Sequence, residues 1–230
     1  MKAVRVPPLI IVLAGLFVVS CSDHWEPDPI IPPIKNPPGY KDLTERDHVL
    51  FNLQKAYIER NLVRFDMLLD SDFVFHFSQA DYQEGRVPVE QWEKAREIFS
   101  AQNIFDRNFS KPGVDPVSKI DLTLTYVAGE DRWTEVTPED QITYPNETWY
   151  EKTVRYDLIV TSGPIDYTGL NILASFTVRM DEVNGEQIWR IISWRDDAEY
   201  QVAARLADPG ALDRTTEETT WGSVKALYGE

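Results

Sequence analysis

The sequence predicts an α+β fold in which three helices pack into a curved antiparallel sheet. Three observations lead there. From Thr44 to Phe105, apolar residues recur mainly at helical spacing. After Ser118 the period changes to two and stays so to Arg195. Asn184-Gly185 joins two of the alternating stretches and is a strong hairpin signal. Helices followed by antiparallel strands suit a layer of helices on one face of a sheet.

Thr44-Glu45-Arg46-Asp47 opens the folded part and resembles a capping box with Asp in the place of Glu. Leu50, Leu53 and Tyr57, with Phe51 and Ile58, then predict a helix from Arg46 to Arg60. Leu62, Phe65, Leu68 and Leu69 predict a second, short helix, broken by Asp70-Ser71-Asp72. Phe73 to Phe77 reads as a short strand. A third helix is expected from Pro88 to Phe105, because a proline costs no hydrogen bond in the first turn. Trp92, Ala95, Phe99 and Gln102 lie near one face of it.

Ile120, Leu122, Leu124 and Tyr126 alternate with polar residues, and Gly129-Glu130-Asp131 makes a turn. Thr134 to Asn146 is polar, holds Pro138 and Pro145, and reads as a long loop. Tyr150, Lys152, Val154, Tyr156, Leu158 and Val160 form the next stripe. That stripe puts Asp157 on the outer face with Glu151, Thr153 and Arg155, as a cross-strand charge partner. Gly163-Pro164 and Gly169 punctuate an expected loop before Leu170, Ile172, Ala174, Phe176, Val178 and Met180. The return strand, Gln187 to Arg195, carries large apolar groups on both faces, which suggests a central position. Ala204 to Thr220 reads as loosely structured. Trp221, Val224, Leu227 and Tyr228 suit a short helix that packs back on the domain.

The start of the chain is of another kind. Lys2 and Arg5 precede an apolar run from Leu9 to Val19, which ends in Val18-Val19-Ser20-Cys21. Such a run is too short to span a bilayer comfortably, since about 20 apolar residues are needed. The stretch resembles a bacterial lipobox, which implies cleavage before Cys21 and a diacylglycerol on its sulfur. Ser22 after the cysteine resembles outer-membrane sorting, with Asp23 pulling the other way. From Trp25 to Tyr40, six prolines argue against helix or central strand and for a semi-rigid tether. The organisation expected is a signal over 1–20, a lipidated cysteine and tether over 21–43, a folded domain over 44–200, and a tail with a short helix over 201–230.

The chain has 230 residues and a net charge of -15, so nucleic acid and anionic lipid surfaces should repel it. Cys21 is the sole cysteine, which excludes an internal disulfide and leaves stability to the core. The three histidines lack ligand spacing, and no metal or cofactor is expected. A phosphate loop and a Gly-x-Ser-x-Gly elbow are both missing.

The helix Arg46 to Arg60 with Asn61-Leu62, the strand Asp72-Phe73-Val74-Phe75 and the closing strand Trp189 to Asp196 resemble the NTF2-like superfamily, also called SnoaL-like or cystatin-like α+β cones. The lipobox and the tail Thr220 to Tyr228 are similar to an uncharacterised branch of bacterial lipoproteins. The resemblance implies a cone with a pocket between sheet and helices, and dimerisation through the outer sheet face in some members. It hosts isomerases, dehydratases, hydrolases and pure binding domains, so fold does not choose function.

An isomerase of this kind needs a carboxylate base and a Tyr or protonated acid in an apolar pocket. Tyr57, Asp66 and His76 are the catalytic candidates, each set against a structural role: core packing for Tyr57, a solvent-facing turn for Asp66, a surface position for His76. Trp92, Phe99, Tyr126, Tyr150 and Phe176 are expected as core or pocket wall. The reading preferred is a lipid-anchored, non-catalytic binding domain of the cell envelope, on the periplasmic face of the outer membrane. Its partner would be a small apolar ligand or an envelope protein. A SnoaL-like enzyme comes next. An assembly or scaffold protein, which predicts a filled cone, stands third.

Overall fold

The computed structural model describes residues 39–127, 131–138, 142–197 and 215–229. The signal, Cys21 and nearly all of the proline-rich arm lie outside the described residues, as does the tail from Ala204 to Arg214.

Helix α1 (Arg46–Glu59) buries Val49, Leu50, Leu53, Ala56 and Tyr57 on one stripe. Arg60 closes it in the left-handed region at φ 56°. The expected capping box does not form, because Thr44 spends its hydroxyl on Asp42 at 2.6 Å and Asp47 reaches Lys152 at 2.8 Å instead. Helix α2 (Leu62–Leu68) is capped by Asn61, whose side chain accepts from the Arg64 amide. Strand β1 (Leu69–His76) begins at Leu69, earlier than its apolar alternation suggested. A register irregularity after Leu69 accommodates Asp70-Ser71-Asp72 within the strand. Arg179 fastens this irregular start. Its guanidinium donates to buried Asp70 at 2.8 and 2.7 Å and to Asp72 at 2.9 Å.

A short helix α3 (Gln79–Gln83), capped by Ser78, follows β1. Strand β2 (Gln91–Glu93) then pairs with β1, and helix α4 spans Lys94–Phe105. The third helix thus starts well after Pro88. Pairing with the β1 edge and burial of Trp92 beside Phe75 and Phe77 outweigh local helix propensity there. The buried face of α4 is Glu97, Ser100, Ala101, Ile104 and Phe105. Phe99 consequently points to solvent, 48 % exposed, and is neither core nor pocket wall.

Strands β3 (Val117–Tyr126), β4 (Thr134–Val136), β5 (Trp149–Ser162), β6 (Ile165–Val183) and β7 (Glu186–Asp196) follow. β4 falls inside the expected loop and pairs with β5. The expected loop at Gly163 to Gly169 is a tight β5–β6 turn followed by strand. Asn171 sits at φ 58° beside a bulge, and Asp157 accepts its amide at 2.7 Å. Asp157 therefore serves the backbone of the bulge. The β6–β7 ladder also bulges, skipping Ile192 between Ser193 and Ile191. That extra residue resets the phase, so Ile191 and Trp194 are both buried despite opposite parity.

The sheet order is β2-β1-β7-β6-β5-β3, with β4 added on β5. It is mixed, because β1 runs parallel to β7, which corrects the expectation of a wholly antiparallel sheet. The final segment is strand β8 (Thr215–Glu218), parallel to the first part of β6, and helix α5 (Trp221–Gly229). Tyr57 packs edge-on against Phe65, Phe105, Trp194 and Trp221, which places α5 in the same aromatic core as α1 and β7.

Candidate functional site

Glu97 on α4 is fully buried and gathers three partners. Tyr57 donates its hydroxyl at 3.3 Å and Trp92 its indole N–H at 3.0 Å. The Lys225 ammonium, from α5, lies 2.8 Å from the same carboxylate. It also sits 3.6 Å from the centre of the Phe75 ring and 3.5 Å from that of Trp194. Burial lowers the Lys225 ammonium to about 8, with Glu97 opposing the drop. The Tyr57 hydroxyl is held well above its ordinary value by burial and by the Glu97 charge.

A second carboxylate lies where β7 ends. Asp196 accepts from the Tyr156 hydroxyl at 2.8 Å and from the Gly222 amide at 2.8 Å. The Trp221 amide donates to the Tyr156 oxygen at 2.9 Å. Asp196 and Tyr156 thus satisfy free amides in the first turn of α5. Burial pushes the Asp196 carboxyl up to about 7 despite these donors. Asp81 on α3 takes the Thr220 hydroxyl and, at 2.8 Å, the Arg86 guanidinium. At the far end of α5, the Tyr228 hydroxyl donates to the Asp115 carbonyl at 2.8 Å. Ser100 and Asn103 hold the carbonyls of Lys225 and Tyr228, each at 2.8 Å.

The three catalytic candidates are not brought together. Tyr57 is in the cone. Asp66 is half-exposed on α2, paired with Lys94 at 3.0 Å. It borders a shallow recess of about 410 Å³ shared with Ser71, Glu93, Lys94, Ala95 and Ile98. His76 alternates with buried Phe75 and Phe77 and faces away from the interior. Trp92 and Phe176 are buried, and Phe176 packs on Trp194 at 4.8 Å. Tyr150 is half-buried against Trp189, with Arg46 over its ring at 3.8 Å. Tyr126 is half-exposed, so it is not core. Its ring covers the Lys152 ammonium at 3.8 Å, near Asp47 and Trp133.

Glu97, Lys225, Asp196 and Asp81 were not singled out from the sequence. Lys225 had a signal: it is the one charge among Trp221, Val224 and Tyr228 on an otherwise apolar helix. Glu97 shares the helical phase of Ala101 and Ile104. Among the described residues, no group of three or more His, Cys, Asp and Glu side chains is placed to hold a metal, and no helix is long and apolar enough to cross a membrane.

No protein-family model matches the sequence, and no curated protein matches it. Solved structures do resemble its fold. An NTF2-like protein of unknown function in nutrient uptake from Rhodospirillum rubrum shares 12 % identity over 67 % of this chain and 98 % of its own, at a TM-score of 0.40. A protein from Streptomyces avermitilis, proposed to be a dehydratase of the NTF2-like family, shares 10 % over 67 % and 94 %, at 0.41. An NTF2-like protein of unknown function from Cytophaga hutchinsonii shares 11 % over 65 % and 85 %, at 0.32. These likenesses concern fold alone.

Proposed function

We propose that this chain is a lipid-anchored envelope protein whose NTF2-like domain binds another protein without catalysing a reaction. One observation carries the reading: the interior where relatives of this fold would keep a pocket is filled by α5. Trp221 and Tyr228 are fully buried there, and α5 engages the buried Glu97 and Asp196 carboxylates. The volume that Trp221 and Tyr228 fill is closed to a small apolar ligand while α5 is seated, which favours the envelope-protein partner. The anchor rests on the Val18 to Cys21 motif, and the proline-rich arm would hold the domain off the membrane.

The enzyme reading ranks second. It draws on the Tyr57–Glu97 and Tyr156–Asp196 pairs, the residue types a proton-transfer site needs. It requires α5 to be elsewhere during turnover.

The test has two parts, both in the native host. Cys21→Ala should move the protein from the membrane fraction to the soluble one and abolish labelling by radioactive palmitate. A photocrosslinking amino acid at exposed Phe51, Phe99 or Leu170 should yield a discrete heavier band on irradiation. A soluble wild-type protein, or a uniformly empty crosslinking lane, sinks the reading.

A further inference from the structure

The segment Thr215–Gly229 is joined to the cone as a ligand is joined to a receptor. β8 adds to the β6 edge as a parallel backbone ladder, with all four of its side chains exposed. α5 then inserts as a helix in a groove. Strand addition and helix insertion are both recurring modes of peptide recognition. Along α5, Trp221, Lys225 and Tyr228 share one face at i, i+4 and i+7. Two aromatic anchors flanking a desolvated ion pair is the composition of a binding hot spot.

The polar content of this contact points the same way. Asp81, Glu97, Ser100, Tyr156 and Asp196 all turn their buried polar groups to this one segment. A permanent core is cheaper to build from apolar groups, because desolvating a Lys–Glu pair offsets much of its attraction. The fit is also incomplete: the indole N–H groups of Trp194 and of Trp221, in the segment itself, are buried without an acceptor. Residues 198–214, seventeen in number, connect β7 to the segment. Fully extended they reach about 55–60 Å, more than the diameter of a domain of this size.

We propose that the cone is a peptide-binding site, and that Thr215–Gly229 of a second copy of this chain seats in it in place of the resident segment. The polar groups set the specificity: a hydroxyl for Asp81, free helix amides for Asp196 and Tyr156, and a cation for Glu97. This builds on the interaction-domain reading, but its test uses purified protein only. Failure here therefore leaves the crosslinking result in the envelope untouched.

The experiment uses the full chain without its lipid and a fluorescent synthetic peptide spanning Thr215–Gly229. Wild-type chain should bind the peptide slowly, since the resident segment competes. A chain carrying Lys225→Glu should bind the wild-type peptide about tenfold more tightly, because its own segment is weakened. A peptide with Lys225→Glu should bind about tenfold more weakly than the wild-type peptide to either chain. Should the charge reversal impair folding, Thr220→Ala leaves every charge in place, removes the contact to Asp81 and the cap on the Ser223 amide, and should give the same ranking on a smaller scale. In sedimentation, wild-type chain should dimerise with rising concentration, and excess peptide should dissolve the dimer. No peptide binding to the Thr220→Ala chain, or a chain that stays monomeric at all concentrations, overturns the proposal.

Discussion

Asp196 shows how much one buried carboxyl controls. Its folded value, about 7, lies above the ordinary 3.8, so the native state holds this proton more tightly than the unfolded chain. The stabilisation it gives is complete below about pH 4 and lost as pH rises through about 7. Lys225 works in a different window: its folded value is depressed to about 8, so its contribution is present above 10.5 and lost as pH falls through 8. Between pH 5 and 7, then, Asp196 changes alone of the two. Asp196→Asn removes the titration and keeps a carbonyl oxygen that can accept from Gly222. Urea unfolding should show the wild type losing about 2–4 kcal/mol relative to this variant between pH 5 and pH 8. Parallel curves would refute it. Arg179 offers a second test. Removing it by Arg179→Met strands the fully buried Asp70 carboxylate. The expected loss is about 3–5 kcal/mol by chemical denaturation, against under 1 for an exposed ion pair such as Lys119–Asp121.

At the scale of elements, α5 depends on close approach. A Cβ on Gly222 would lie 2.8 Å from Phe77 Cδ1 and 3.2 Å from Asp196 Oδ2. Gly222→Ala in an open helix should gain about 0.5–1 kcal/mol. Here overpacking should win, with a net loss of about 1–3 kcal/mol by thermal or urea unfolding. A more stable variant would mean that α5 has room to shift. Elements were legible in the sequence wherever one face alone is buried. α1, α2, β5 and the Asn184-Gly185 hairpin follow their periodicity, and so does the burial of α5. Reading failed where long-range partners overrule local pattern. Pro88 to Glu93 looked helical, but Gln91–Glu93 of it pairs with β1. The two-faced β7 pattern came from a bulge, which adds a residue without changing composition. The candidate site was half legible. Tyr57 was found on its apolar stripe, but its partner Glu97 looks like any exposed helix charge until Lys225 arrives from 128 residues further on.

For the molecule as a whole, the polar seat of the last segment implies uneven stability. Opening it breaks the contacts of β8 and α5 and leaves the β5–β6–β7 ladder paired. Native-state hydrogen exchange should therefore find amides of Val224 to Tyr228 exchanging at a lower opening free energy than those of Val154, Phe176 and Ile191. Equal protection at both places would make the segment an integral part of one cooperative unit. The formal charge of -15 bears on the environment too. Repulsion from anionic surfaces keeps such a domain off the bilayer to which the proposed lipid ties it.

The order in which the chain is made gives α5 one more consequence. The receptacle is synthesised before its filling, so Tyr57, Phe75 and Trp194 emerge well before the Trp221 and Lys225 that pack on them. A nascent domain in that state exposes a sticky aromatic hollow. A holding chaperone that recognises such a surface would have most to do before α5 is made.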